Sequence, residues 1–324
     1  MWGELPKLFG KSFAIGYFLP SVTILLSLLG VASAFGYYDR IVALLINNAS
    51  GKSYNEWIGV AISIFILWIG GVALMALNRP IIRFFEGYNS YNPLQLLLPI
   101  KKRSFARTQA AIDELRQERT AADRNGPSWP RSRQSLYAKY MLYFPSEFPD
   151  QEDHVLPTRF GNVIRAFEVY SRVIYGLEAI QGWPRLVAVI PADFRGMIDD
   201  AKAQVDFWVN LWAGSLVATL LYGALYAAKG LAPQPWIPAV ALLIAFFAAN
   251  GARAAAGEWG AFVMSAFDLF RGDLCKKLGL KMPSTIDEER EMWQLMSQVM
   301  VYRSKEVADK LSRFRDSAGG ITPH

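Results

Sequence analysis

The stretch "WIGVAISIFILWIGGVALMAL", residues 57–77, contains no charged side chain and only one hydroxyl group. It is about 20 residues long, and a helix of that length crosses the ~30 Å hydrocarbon core of a bilayer. Only a helix or a closed barrel satisfies its backbone hydrogen bonds in lipid. The stretch therefore predicts a transmembrane helix.

Three further runs have the same length and character, at Phe13–Phe35, Phe207–Ala228 and Trp236–Ala255, and their only charged residue is Arg253 near the end of the last. A soluble protein buries one such run as a central helix, but four in a chain that is 52% hydrophobic indicate a membrane protein. We predict an all-α integral membrane protein with four transmembrane helices in two hairpins.

The positions of the basic residues predict the orientation of the spans. All but three of the 34 Lys and Arg residues lie outside the two short loops within the hairpins; the three are Arg40, Lys52 and Lys229. Cations close to span ends carry the most weight in the positive-inside rule, and here they are Lys7, Lys11, Arg79, Arg83, Lys202 and Arg253. Both termini and the central insert are therefore predicted to face the cytoplasm of a bacterial inner membrane.

The N-terminal run has an alternative interpretation. The triplet Ala32-Ser33-Ala34 matches the small-residue site of a cleaved signal peptide, with Lys7 and Lys11 in front of the apolar run. That run exceeds the usual ~7–15 residues of a signal segment, so we favour a retained span. The following segment Ile41–Ile46 is too short to cross and predicts an external interfacial or re-entrant helix.

The spans divide the chain into a first hairpin (1–77), a cytoplasmic insert (78–206), a second hairpin (207–255) and C-terminal helices (256–324). Together the insert and the tail have about 200 residues, enough for one mostly helical domain with its own core. Pro145 is expected to stop a short helix, 183–191 is the only strand-like run, and a separate amphipathic helix is expected after the fourth span. A final helix is expected from the cap Thr285 to about Phe314.

Four segments of the chain resemble a scattered group of bacterial membrane proteins that share a P-T-R-x-G-N element. The segments are "RPIIRFFEGY" (79–88), "PTRFGNVIRAFEVY" (157–170), "YGLEAIQGWPRL" (175–186) and "DEEREMW" (287–293). They are distinctive as a set and weak individually. The resemblance implies the topology described above and carries no activity with it.

The helix that begins after Pro157 is a candidate anion site. Thr158 is expected to cap it, which leaves backbone amides at its positive end, while Gly161 permits close approach and Arg159 and Arg165 supply cationic donors. A phosphate or carboxylate group fits such donors. In the alternative interpretation Thr158 is only a cap and Arg159 pairs with Asp153.

A second group of cations lies on about two helical turns after the second span: Lys101, Lys102, Arg103 and Arg107. With nearby aromatic residues they could bind a phosphate-bearing ligand such as a nucleotide or an oligonucleotide. The alternatives are contact with anionic lipid and a solvated face that obeys the positive-inside rule.

The third span has hydroxyl groups at helical spacing on one face: Ser215, Thr219, Tyr222 and Tyr226. In an oligomer this face could line a pore; alternatively it forms hydrogen bonds between neighbouring helices. Apart from Arg253, the spans lack the ionisable residues that proton-coupled and ion-coupled carriers usually need.

Enzymatic centres are not expected. Cys275 is the only cysteine, and His154 and His324 are the only histidines, so no metal cluster or His-based triad is predicted. The chain also lacks the glycine-rich phosphate motifs of P-loop and dinucleotide-binding proteins. We expect no metal and no cofactor.

These features together predict a homo-oligomeric membrane channel whose cytoplasmic domain acts as gate or sensor, because two hairpins alone cannot enclose an aqueous path. Prokaryotic anti-phage effectors share this layout, so a defence role follows by analogy alone. The alternative is a non-conducting membrane scaffold that docks a cytoplasmic protein partner.

Overall fold

The computed structural model describes residues 10–37, 40, 56–125, 129–230 and 234–315, and most of these residues are helical. In chain order the helices are α1 (Lys11–Ala34), α2 (Glu56–Glu86), α3 (Leu98–Asn125), α4 (Arg131–Glu147), α5 (Arg159–Tyr175), α6 (Ala179–Val187), α7 (Ala192–Lys229), α8 (Trp236–Lys277), α9 (Ile286–Tyr302) and α10 (Lys305–Leu311).

Four of these helices, α1, α2, α7 and α8, are long and apolar enough to cross a membrane. The described residues contain no strand, only one isolated bridge between Leu280 and Arg315. The predicted helical class and the four apolar helices are thus confirmed. The short helix predicted at Ile41–Ile46 lies outside the described residues.

The chain divides into two compact units. The apolar unit comprises Met1–Phe85 and Asp199–Ala256, and the polar unit comprises Glu86–Ile198 and Gly257–His324. Helices α7 and α8 each contribute residues to both units.

Small residues allow close helix packing in the apolar unit. A Cβ atom on Gly214 of α7 would lie 2.1 Å from a side-chain carbon of Ile24, and one on Gly251 of α8 would lie 2.5 Å from the Trp208 ring. Such close approach allows extensive van der Waals contact between the helices. The alanine ladder of α8 is buried as well, at Ala241, Ala245, Ala248 and Ala252.

Helix α1 departs from regular α-helical geometry near its start. Residues Ala14–Phe18 form a π-helical turn that leads directly to Pro20. Proline has no backbone N–H and its ring crowds the carbonyl four residues earlier, here that of Gly16. The Gly16 carbonyl instead accepts a hydrogen bond of 2.9 Å from the side-chain nitrogen of Asn210 in α7.

The polar unit has an aromatic core formed by α5, α8 and α9, with Phe160, Phe267 and Trp293 almost fully buried. Beside it, Asp268 accepts hydrogen bonds from Tyr170 (3.0 Å) and Tyr175 (2.8 Å). One Glu289 oxygen accepts from Arg271 (2.7 Å) and from the Trp293 indole (3.3 Å). Asp268 and Glu289 are the acceptors of this group. We call its six residues the Asp268–Glu289 network: Tyr170, Tyr175, Asp268, Arg271, Glu289 and Trp293.

Several local predictions were wrong. Residues 183–187 complete helix α6, because Ala179, Gly182 and Leu186 recur at helical spacing and are buried together. Helix α4 continues through Pro145 to Glu147. No break separates the fourth apolar run from the amphipathic segment after it, so α8 is a single helix.

The last predicted helix is divided in two. Thr285 caps α9 as expected, accepting a hydrogen bond of 3.3 Å from the Glu288 amide. Helix α9 then ends at Tyr302, since Arg303 adopts a left-handed conformation (φ 55°), and Ser304 caps α10.

Candidate anion-binding site

The start of α5 is closed by its own side chains. The Thr158 hydroxyl oxygen accepts a hydrogen bond of 2.9 Å from the Gly161 amide, which confirms the predicted cap. Asn162, almost fully buried, donates to the carbonyls of Leu156 and Thr158 and accepts from the Leu156 amide. Asn162 therefore fixes the entry turn, a role that the sequence analysis did not assign.

Gly161 allows close approach to the chain's own backbone. A Cβ atom at this position would lie 2.6 Å from the Glu86 carbonyl oxygen, and the Thr158 hydroxyl lies 3.3 Å from the same oxygen. Pro157 packs in the same way on Gly87, where a Cβ atom would lie 2.1 Å from the proline ring. The sequence analysis predicted a ligand at the helix start. Glu86 and Gly87 fill that space instead.

Arg165 is also held by protein groups. Its guanidinium lies 5.2 Å from the centre of the Tyr88 ring, donates to the Tyr88 hydroxyl and pairs with Glu168 at 3.2 Å. These contacts connect α5 to the segment after α2. They leave Arg165 little freedom to turn toward a ligand.

Among the predicted cations, Arg159 is the one whose charge acts on the pKa of Lys101. Burial lowers the pKa of Lys101, the positive charge of Arg159 lowers that pKa further, and Glu147 acts in the opposite direction. Neither side chain forms a hydrogen bond or an ion pair of 4 Å or less with another described residue, and Arg159 is exposed. The Glu147 carboxylate offsets part of the repulsion between the two cations, and a bound anion would offset more of it.

The remaining cations of the predicted cluster separate. Lys102 lies 3.8 Å from Asp153. In the alternative interpretation of the sequence, Asp153 was the ion-pair partner of Arg159. Arg103 and Arg107 are exposed, whereas Phe105 of the same helix is buried. Since helix faces repeat every 3.6 residues, Arg103 and Arg107 lie on the side of α3 opposite Phe105. They point away from Lys101.

The four predicted pore residues lie in different surroundings. The hydroxyls of Ser215 and Thr219 bond back to carbonyls of their own helix, at 2.8 and 2.9 Å. Tyr222 is buried against Val31 and Phe35, with ring centres of Phe35 and Tyr222 5.2 Å apart. Tyr226 is about half exposed. Within a single chain, the face that holds Ser215 and Tyr222 packs inside the apolar unit.

A buried acidic residue was missed by the sequence analysis. Asp206 of α7, only 4% exposed, accepts hydrogen bonds from the Tyr17 hydroxyl (2.8 Å), from the Asn78 amide nitrogen (3.0 Å) and from Lys202. With Gly16 and Asn210 these residues form what we call the Asp206 cluster, which joins α1, α2 and α7. One signal in the sequence was available: Lys202 and Asp206 stand four residues apart on the helix that enters the third span.

Comparison with known protein families, curated proteins and solved structures finds no match to this chain. Among the described residues, no group of three or more His, Cys, Asp or Glu side chains could hold a metal ion. The Lys101–Arg159 pair and the Asp206 cluster are the two arrangements that ordinary packing explains least.

Proposed function

We propose that this protein is an anion-responsive, multi-span protein of the bacterial inner membrane, with a homo-oligomeric channel as its output. The Lys101–Arg159 pair carries the proposal. Two cations that repel each other are stabilised when one anion binds both of them, and the planar guanidinium of Arg159 matches the oxygens of a phosphate group. The ligand is therefore a phosphate-bearing molecule such as a nucleotide.

Membrane insertion is supported by the apolar side chains that the apolar unit exposes. Phe65 of α2 and Phe246 of α8 are 59% and 63% exposed, and their neighbours Ile64 and Phe247 are similarly open. Apolar surface of this extent suits contact with lipid or with a second copy of the chain. The basic residues near the span ends then set both termini in the cytoplasm.

Coupling to the apolar unit requires only that the ligand prefer one of two arrangements of the protein. Helix α7 offers a path because it runs without a break from Ala192 to Lys229 and includes the predicted pore residues. A defence role remains an expectation from the analogy of layout.

The second candidate is a non-conducting scaffold that docks a cytoplasmic protein. The burial of Ser215 and Tyr222 inside the apolar unit favours it, since buried side chains cannot line a pore between copies unless the helices rearrange. Planar-bilayer recordings on the purified protein distinguish the two candidates. Anion-dependent conductance supports the channel, whereas anion binding without conductance supports the scaffold.

The anion site is tested by binding of inorganic phosphate, ATP and a short oligonucleotide to the full-length protein, measured by calorimetry. Arg159→Ala should weaken binding by about 1.5–3 kcal/mol, the scale of a hydrogen bond to a charged group, and added salt should weaken binding in the parent protein. Arg103→Ala is the matched control, because it removes an exposed cation of α3 that faces away from Lys101. Equal losses in both variants, or no binding of any of the three probes, would contradict the proposal.

A further inference from the structure

The Asp206 cluster contains a carboxylate shared by three helices. Its donors are Tyr17 from α1, Asn78 from α2 and Lys202 from α7 itself. An ionisable group buried among apolar helices is expensive to keep and usually has a function. A carboxylate has about four acceptor positions, so these three donors leave room for one more partner.

Two amide oxygens on residues of the Asp206 cluster have no donor among the described residues. The Oδ1 atoms of Asn78 and Asn210 are buried and lack a hydrogen-bond partner among the described residues, and the Asn210 side chain is fully buried. Neither amide can be turned to relieve this. Turning Asn78 would bring its oxygen against Asp206, and turning Asn210 would bring its oxygen against the Gly16 carbonyl. Buried acceptors without a donor are uncommon and point to a missing water or ion.

The backbone beside the cluster is also suited to an ion. Gly16 lies in the π-helical turn of α1, and a Cβ atom there would lie 3.2 Å from Asp206 Cβ. Asn210 stands one turn after Asp206 on the same helix, so both face α1. Irregular helical segments near carboxylate and amide oxygens are typical of alkali-cation sites in membrane proteins.

We propose that the Asp206 cluster binds a dehydrated monovalent cation such as Na⁺, in competition with the Lys202 ammonium for the Asp206 carboxylate. All the available ligands are hard oxygen atoms, which suit alkali and alkaline-earth cations. The cluster holds a single carboxylate, whereas protein sites for divalent cations usually combine several. Lys202 then supplies the compensating charge when the cation is absent. This inference is independent of the anion site and of channel activity.

The test is thermal unfolding of the full-length protein in detergent, with NaCl or KCl exchanged for N-methylglucamine chloride at constant ionic strength and pH. A cation that binds only the folded state raises the melting temperature in a saturable way. The parent protein should show this rise for at least one alkali cation. Asp206→Asn should abolish it, and Lys202→Gln should bring half-saturation to a several-fold lower concentration because the internal competitor is gone.

Asp200→Asn is the matched control, since Asp200 is a half-exposed residue of the same helix that pairs with Lys11 at 2.7 Å. It should behave as the parent does. If Asp206→Asn does not yield folded protein, Lys202→Gln decides, because the proposal requires a gain of affinity there. The proposal is overturned if neither the parent nor Lys202→Gln distinguishes an alkali cation from N-methylglucamine, or if Asp206→Asn keeps the parent response.

Discussion

The two units each contain a carboxylate cluster, partly buried in the polar unit, and the clusters differ in whether their buried polar atoms are paired. In the polar unit, no side-chain nitrogen or oxygen of the Asp268–Glu289 network is buried without a hydrogen-bond partner. In the apolar unit, the Asp206 cluster leaves two buried amide oxygens unpaired. A fully paired cluster mainly specifies the fold, whereas an incompletely paired one points to a ligand.

The largest expected effect is loss of Arg271 from the paired cluster. Arg271→Ala leaves the nearly buried Glu289 carboxylate without its cation, so the free energy of unfolding should fall by about 3 kcal/mol. Chemical denaturation followed by Trp fluorescence measures this. Arg313→Ala is the control, because Arg313 and Glu291 form an exposed pair whose loss should change stability by less than about 1 kcal/mol. Equal losses of stability in the two variants would show that the Arg271–Glu289 pair contributes no more than an exposed ion pair.

A smaller loss is expected where two backbone segments of the polar unit meet. Gly161→Ala places a methyl group 2.6 Å from the Glu86 carbonyl oxygen and should lower the free energy of unfolding by about 1–3 kcal/mol. Gly196→Ala in α7 is the control, since its Cβ would contact nothing within 4 Å and should be neutral or slightly stabilising. If Gly161→Ala does not lower the free energy of unfolding, the close approach of Gly161 to the Glu86 carbonyl is not maintained.

Replacing Lys101 should raise the free energy of unfolding, because burial and the charge of Arg159 both disfavour its charged form. Its pKa is lowered in the folded state, so the charged form destabilises the fold below the unfolded-state pKa, and stability recovers as pH rises toward that value. Lys101→Met should therefore raise stability at neutral pH by less than about 1 kcal/mol while it abolishes stabilisation by phosphate. Melting curves with and without phosphate test both effects, and a destabilised variant that still responds to phosphate would contradict them.

The smallest effect is expected at Tyr222. Its hydroxyl is buried with no hydrogen-bond partner among the described residues, so Tyr222→Phe should leave the stability of the monomer nearly unchanged. Light scattering of the detergent-solubilised protein shows whether the same change alters its assembly. A loss of oligomers would indicate that this hydroxyl bonds to a neighbouring copy, which is the alternative to the pore interpretation of α7.

Local sequence signals predicted most of the elements. The four apolar helices follow from the length of uncharged runs, and the caps at Thr158 and Thr285 follow from side-chain chemistry within one helical turn. The errors at 183–187 and at Pro145 arose because short segments take the conformation that tertiary packing selects. Propensity alone does not decide such segments.

The candidate sites were predicted less well because their partners are distant in sequence. Thr158 and Glu86 are 72 residues apart, and Asp206 and Asn78 are 128 apart. Nothing near Gly161 signals that backbone fills its open side, and nothing near Asp206 signals that α1 and α2 supply its donors. Of the predicted cations, Arg159 acts on the pKa of Lys101, whereas helical periodicity turns Arg103 and Arg107 to the other side of α3.

The hydrogen bond from Asn210 to the Gly16 carbonyl also has a consequence for biosynthesis. The two residues are 194 positions apart, and at about 5–20 residues per second the ribosome needs roughly 10–40 s to make the intervening chain. During that time the Gly16 carbonyl lacks the Asn210 side chain as a hydrogen-bond donor. A nascent chain that stalls before residue 210 therefore cannot form this hydrogen bond, whereas the finished chain can.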